Sequence, residues 1–487
     1  MSFLGLVPSG ASAVVDAATG ARLTYAELIG LGHTTAAILG PAKQVLFLVA
    51  RNDAFTASAY WGAIDGGHAV ALLDASAAPE MTAGLIDTYR PTWLAGVPGL
   101  AEQLAPLGVG IDAVVPMAGG ELVRTTDAAR DDVYPELALM LTTSGTTGSR
   151  KLVRLTARNL EANADSIADC LSLTPDERPL AMLPIHYSFG LSVVNSHWRV
   201  GATVVLTGDG VMQRRLWTTF DAEACTSLAG VPYTYQMLER IRFREMGLPS
   251  LRSMQQAGGA LDLRLAALYR DYMAGRGGRF FVMYGQTEAT ARIAVVPPDR
   301  LADKLGSAGL PVPGGRFLIA PEPAAEGSPG GASPQSARAE MPPTTGELEY
   351  LGPNVMLGYA SRAADLALGD ELGGRLATGD IGYLDSDGYL FLVGRSKRIA
   401  KVFGHRVNLD EIEMLVRAHG PAAAVAGEDS VWVFCAFPAD EDVERARRSI
   451  LARLHLHPSG LQFRRVPAIP TTGSGKVDYT QVMAWVT

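Results

Sequence analysis

The stretch Leu141 to Leu152 reads LTTSGTTGSRKL, a run of small hydroxylated residues and glycines closed by the basic pair Arg150 and Lys151. Backbone N–H groups in a tight glycine-rich turn converge on phosphate oxygens, Thr and Ser hydroxyls add donors, and a nearby Lys supplies charge. Thr142, Thr143, Ser144, Gly145, Thr146, Thr147, Gly148 and Lys151 therefore form a candidate anion cradle. A polar surface turn has the same composition, so one loop alone does not decide. The phosphate loop of NTPases needs a glycine, four residues, then Gly-Lys-Ser/Thr; here Gly145 is followed by Thr-Thr-Gly148-Ser-Arg-Lys151, and that spacing fails.

The loop instead resembles the phosphate loop of the adenylate-forming superfamily, the acyl-CoA synthetases, luciferases and peptide-synthetase adenylation domains, whose pattern runs Ser-Gly-Thr-Thr-Gly-x-Pro-Lys-Gly. The resemblance continues in order down the chain. Ala257-Gly258-Gly259-Ala260 stands at the family's Gly-Gly-Ala segment, and Tyr284-Gly285-Gln286-Thr287-Glu288 matches its Tyr-Gly-x-Thr-Glu motif. GSAGLPVPG from Gly306, Thr378-Gly379-Asp380, Gly394-Arg395, Gly404-His405-Arg406-Val407 and a GSGK ending at Lys476 follow. With LTYAEL at Leu23 included, the likeness covers nearly the whole chain. The sequence departs from the pattern at Arg150 for the usual proline, at Leu152 for the usual glycine, and at Lys397 and Arg398 where many members carry an acidic pair.

What the resemblance implies is a ligase working in two steps. A carboxylate is a poor electrophile because its charge repels nucleophiles and oxide cannot leave; joining it to AMP removes both faults. The family does this with Mg·ATP, releasing pyrophosphate, and a thiol then displaces AMP. Lys476 would bridge the incoming carboxylate and the α-phosphate, Glu288 would hold Mg²⁺, and Thr287 would donate to the α-phosphate. Asp380 would clamp the ribose hydroxyls with Arg395 beside it, and adenine would lie between the Gly258, Gly259 and Ala260 backbone and the ring of Tyr284, with Gly285 and Gln286 in the same motif. Lys397 would serve as the hinge of a rotating C-terminal domain, and Gly404 would let a pantetheine arm pass close to backbone.

The acid pocket implied is framed by PIHYSFGL from Pro184, by LAGVPYTY from Leu228, and by the Gly258 and Tyr284 regions, placing His186, Phe189, Ala229, Gly230 and Tyr233 in its wall. These segments carry few charges, and no carboxylate stands near His186 or Tyr187 in the sequence to pair with an amino-acid ammonium, so a fatty, aryl or other uncharged acid is expected. His186 either lines this pocket or is a satisfied core histidine. The acceptor is coenzyme A or the phosphopantetheine of a carrier protein, with coenzyme A preferred on family analogy. Two other readings remain open: a stand-alone adenylation enzyme that loads a carrier protein, and a non-catalytic nucleotide-binding scaffold.

These motifs need elements to position them. Over the first three hundred residues, apolar runs such as QVLFLVA, AVALL and TWLAGV alternate with amphipathic segments such as FTASAYWGAIDGG, predicting α/β layers of mostly parallel strands. Residues 321–345 are rich in Pro, Gly, Ala and Ser and are expected to form a flexible loop. A large N-terminal α/β domain over 1–395 and a small α+β domain over 396–487 follow. At 487 residues with 48% hydrophobic and 19% charged, the chain can bury several cores, and a formal charge of −8 offers no general attraction to nucleic acid. Three scattered cysteines, an N-terminus without a basic region, and no uncharged apolar run long enough to span a bilayer predict a cytoplasmic protein with no membrane span.

Overall fold

The computed structural model describes residues 2–129, 132–142, 151–321, 344–395, 398–402, 405–417, 419–427, 430–454, 458–472 and 477–486. They fall into two compact units. The first takes residues 1–305, 311–316 and 351–376, and the second takes 306–310, 317–350 and 377–487. The loop expected at 321–345 lies almost wholly outside the described residues.

Two large sheets layered with helices build the first unit, as the alternating pattern predicts. One contains the strands Pro179–Ala181, Ser227–Gly230, Ser253–Gln256 and Arg279–Tyr284, all parallel, with antiparallel Ala294–Val296 beside the last. The other has a parallel centre of Leu137–Thr142, Ala69–Asp74, Val45–Ala50 and Trp93–Gly96. Its central strands are buried on both faces, which is why they read as continuous apolar runs rather than alternating ones. The helix Ala54–Asp65 is buried from Phe55 to Ile64 and is started by Asp53, whose carboxylate accepts the Thr56 N–H at 2.7 Å.

Toward both ends of this second sheet the pairing turns antiparallel, a departure from the mostly parallel expectation. The reason is local: Thr142 pairs with Leu152, and so short a connection leaves no room for a crossover helix. The candidate anion loop thus lies between two antiparallel strands, not between a strand and a helix.

The second unit holds most of a four-stranded sheet, ordered Arg316–Pro321, Gly346–Leu351, Arg375–Leu384 and Leu390–Arg395. Its C-terminal portion contains the strands Ala422–Gly427, Ser430–Cys435 and Leu461–Arg465 and the helices Leu409–Arg417 and Asp440–Leu454. Leu409, Ile412 and Val416 from one helix and Val443, Ala446 and Ile450 from the other are buried in one core at the spacing of a helical face. All three cysteines are free, and among the described residues no helix is long and apolar enough to cross a membrane.

Candidate active site

Segments that are distant in sequence meet at the carboxyl ends of the parallel strands. Gly230 pairs with Gln256, and Gln256 pairs with Val282, so the ends of three neighbouring strands are level. Ala229 and Gly230 close one strand, Gly258, Gly259 and Ala260 follow the next, and Tyr284 ends the third. Ligands bind at this edge of open α/β sheets because loops diverge there and leave a crevice. Gly258 has φ +83°, and a Cβ on it would lie 2.6 Å from the Tyr187 hydroxyl, so both backbone conformation and space require glycine.

Tyr284 to Glu288 form a turn built to close tolerance. A Cβ on Gly285 would sit 1.6 Å from the Ala291 carbonyl oxygen, where the chain doubles back to pair with Tyr284. Thr290 (φ 65°) and Ala291 (φ 146°) have unusual backbone for residues with a side chain. Asn354 offsets that strain: its amide donates to the Ala289 carbonyl at 2.8 Å, and its own carbonyl accepts the Thr290 hydroxyl at 2.6 Å. Thr287 Oγ1 lies 3.1 Å from Ser188 Oγ at the start of the helix Ser188–Arg199. Buried Gln286 Nε2 has no hydrogen-bond partner among the described residues, a donor suited to a bound polar group.

Glu288 Oε1 accepts the Tyr359 hydroxyl at 2.7 Å, and Lys151 Nζ stands 5.9 Å from the centre of the Tyr359 ring. Burial and the adjacent Glu288 carboxylate hold the Tyr359 hydroxyl above the usual tyrosine range, so it stays a donor. Tyr359 pairs with Val153 across the sheet, and fully buried Arg154 donates to the Tyr359 carbonyl at 3.3 Å while ion-pairing with Glu371. The motif analysis missed Tyr359; its only sequence signal is a tyrosine after glycine in NVMLGYA, and strand pairing alone brings it to Glu288.

In the acid-pocket segments the structure corrects one expectation. A carboxylate does lie near His186: Asp74, from the end of a distant strand, places Oδ2 3.8 Å from His186 Nε2. Arg292 sits 4.8 Å from the centre of the buried Phe189 ring. Sequence distance hid the approach of Asp74 to His186. The buried Nδ1 of His186 has no hydrogen-bond partner among the described residues; burial lowers the pKa of His186, and Asp74 partly opposes this. Asn52 fixes the loop that carries it, donating to the carbonyls of Ala181, Leu183 and Thr207 at 2.9–3.0 Å and accepting from Ile185 N–H at 2.9 Å. Ala229 and Phe189 are buried, whereas Tyr233 is exposed.

Comparison with known proteins identifies the family. A model for AMP-binding enzymes matches residues 121–360. A feruloyl-CoA synthase from an Amycolatopsis species is 30% identical over 486 residues, covering 94% of this chain and 93% of the relative. The chain belongs to the AMP-binding, adenylate-forming enzyme family. A 2-succinylbenzoate–CoA ligase from Bacillus pumilus is 30% identical over 372 residues, 74% of this chain and 71% of that one. In fold, an amide bond synthetase from Marinactinospora thermotolerans superposes with a TM-score of 0.77 at 24% identity, covering 99% of this chain and 98% of that one.

Further motif positions of this family member lie in the second unit. Asp380 is buried and pairs across the sheet with Arg395, whose Nε donates to Asp380 Oδ1 at 3.0 Å. The Thr378 hydroxyl receives the Asp380 N–H at 3.1 Å and donates to the Leu348 carbonyl at 2.8 Å, fixing the Thr-Gly-Asp segment. Arg398, where the sequence departs from the usual acidic pair, is an internal anchor. It donates to Glu413 at 2.6 Å and to the Tyr479 hydroxyl at 2.7 Å, ion-pairs with Asp410, and stacks 4.0 Å from the Tyr479 ring. Thr142 ends its strand exposed, while Thr143 to Gly148, Arg150, Lys397, Gly404 and Lys476 lie outside the described residues.

Proposed function

We propose that this protein activates a carboxylic acid as its acyl adenylate at the expense of ATP and passes the acyl group to coenzyme A. The observation that carries the reading is the Tyr284–Glu288 turn at the carboxyl edge of the sheet, with Thr287 held by Ser188 and Glu288 by Tyr359. The names of the relatives, a feruloyl-CoA synthase and a 2-succinylbenzoate–CoA ligase, support the thioester product.

In the first step an oxygen of the acid attacks the α-phosphorus of ATP while the bond to the bridging oxygen breaks and pyrophosphate leaves. Both reactants are anionic, so the protein's work is to position them and to offset charge. Thr287 donates to the α-phosphate, Lys476 bridges it to the incoming carboxylate, and Thr142 to Gly148 with Lys151 cradle the outer phosphates. Glu288 is a carboxylate steadied by a neutral donor, a hard oxygen ligand fit for Mg²⁺. Bound there, the ion neutralises phosphate charge. Tyr284 and the Gly258–Ala260 backbone flank adenine, and Asp380 with Arg395 takes the ribose.

In the second step the thiol sulfur attacks the acyl carbon, the bond to AMP breaks, and the thiol proton is released. The two steps need different groups at one site. A domain of residues 396–487 turning about Lys397 exchanges Lys476 for the Gly404 segment beside the thiol arm. A carrier-protein phosphopantetheine offers the same sulfur in place of coenzyme A.

Pyrophosphate release from Mg·ATP against a panel of acids, with hydroxylamine trapping the adenylate, tests this reading. Lys476→Ala should lower adenylation by about 10²-fold or more, the scale expected for one charged transition-state contact. Pyrophosphate release at equal rates with and without Lys476 refutes its role, and ATP binding without any turnover refutes the ligase reading. Thioester formed with a carrier protein but not with coenzyme A reassigns the acceptor.

A further inference from the structure

Arg292 lies four residues beyond the Tyr284–Glu288 motif and is 1% exposed. Its Nε donates to Ser192 Oγ at 3.1 Å and its Nη1 to Gln255 Oε1 at 2.9 Å, while Nη2 is buried with no hydrogen-bond partner. Among the described residues no carboxylate pairs with it. Fully buried Arg154 and partly buried Arg398 differ, since each holds a glutamate. Its titratable neighbours do not supply the missing charge: burial pushes the Cys170 thiol up to about 11 and lowers His197 to about 4, leaving both neutral near pH 7. Arg292 itself, lowered by burial to about 9, remains a cation at that pH. A buried cation with spare donors and no anion is costly, and an anionic ligand would remove that cost.

Its position says which ligand. Ser188 touches Thr287 and Ser192 touches Arg292, and both serines lie on the helix Ser188–Arg199. Four residues are about one helical turn, a rise of roughly 6 Å. Arg292 therefore stands about one turn from the place where Thr287 meets the reacting phosphate, against the Phe189 ring and beneath the strand that leads to Gly258. Resting on the ligase reading above, we propose that Arg292 receives a second carboxylate at the far end of the acid, making the substrate a short aliphatic or aryl diacid. The planar guanidinium donates to a carboxylate through Nη2 while Ser192 and Gln255 hold its other edge.

Matched pairs test this: glutarate against its monoamide, and terephthalate against its monoamide, in the pyrophosphate assay. The wild type should favour the diacid of a productive pair by about 10²-fold in kcat/KM, because the neutral carbonyl of the monoamide gives the buried cation no charge to pair. Arg292→Gln should abolish that preference, chiefly through KM, and Arg292→Lys should restore part of it. Equal use of both members by the wild type, or an equal loss on both in Arg292→Gln, overturns the proposal. Should Arg292→Gln fail to fold, the wild-type comparison decides alone. Should no acid turn over, the ligase reading fails separately, and calorimetry without nucleotide still decides: diacid binding that exceeds monoamide binding supports Arg292, and no difference overturns it.

Discussion

Replacing Gly285 with alanine isolates the geometry of the motif turn from its chemistry, because no functional group is removed. The added Cβ would lie 1.6 Å from the Ala291 carbonyl oxygen and 2.7 Å from Arg292 Cα. An ordinary carbon–oxygen contact is about 3.3 Å, so the turn or the returning strand must move by roughly 1.7 Å. Neither yields easily, since the return passes through the unusual backbone at Thr290 and Ala291 and is tied down by Asn354. Overpacking of this kind costs about 1–3 kcal/mol or more. Displacing reacting groups by about 1 Å costs on the order of 10²-fold in rate, so Gly285→Ala should lose at least that much in kcat/KM for pyrophosphate release, with Thr287 and Glu288 intact. Thermal melting should show a lowered midpoint. The control is Gly30→Ala, at an exposed position inside the helix Tyr25–Leu39 where a Cβ meets nothing within 4 Å. It should raise stability by about 0.5–1 kcal/mol and leave the rate unchanged. A Gly285→Ala enzyme within about threefold of wild type would refute the claim that this turn sets the positions of Thr287 and Glu288.

Tyr359→Phe removes the 2.7 Å hydrogen bond to Glu288. Bonds to charged groups contribute about 1.5–3 kcal/mol, and partial exposure favours the low end, so about a tenfold rate loss that deepens at limiting Mg²⁺ is expected; a rate unaffected by Mg²⁺ concentration would refute Tyr359 as the brace of the metal ligand. Fully buried His197 has its pKa lowered by burial from 6.5 to about 4 while its Nδ1–H donates to the Val193 carbonyl at 2.7 Å. The unfolded chain binds more protons between those values, so stability should fall as pH drops from 6.5 toward 4, by about 2 kcal/mol at pH 5. Urea melts at pH 7 and pH 5 should show that loss shrinking in His197→Gln; an identical pH dependence would assign the acid sensitivity elsewhere.

The sequence by itself determined the family and the layered α/β class. Those features are local: a strand buried on both faces must be apolar throughout, a helix face repeats every three to four residues, and a turn needing positive φ or close approach needs glycine, as at Gly258 and Gly285. Ordered motifs such as Tyr284 to Glu288 are legible because their chemistry is carried by adjacent residues. Only the tertiary structure decided what lies between them. Tyr359 reaches Glu288 through pairing with a strand two hundred residues earlier, and Asp74 reaches His186 from the other large sheet. Arg292, four residues beyond a recognised motif, reads as an ordinary arginine until its burial and its missing partner are visible. Charge complementarity in a pocket is set by which side chains converge in space, and period and propensity carry no record of it.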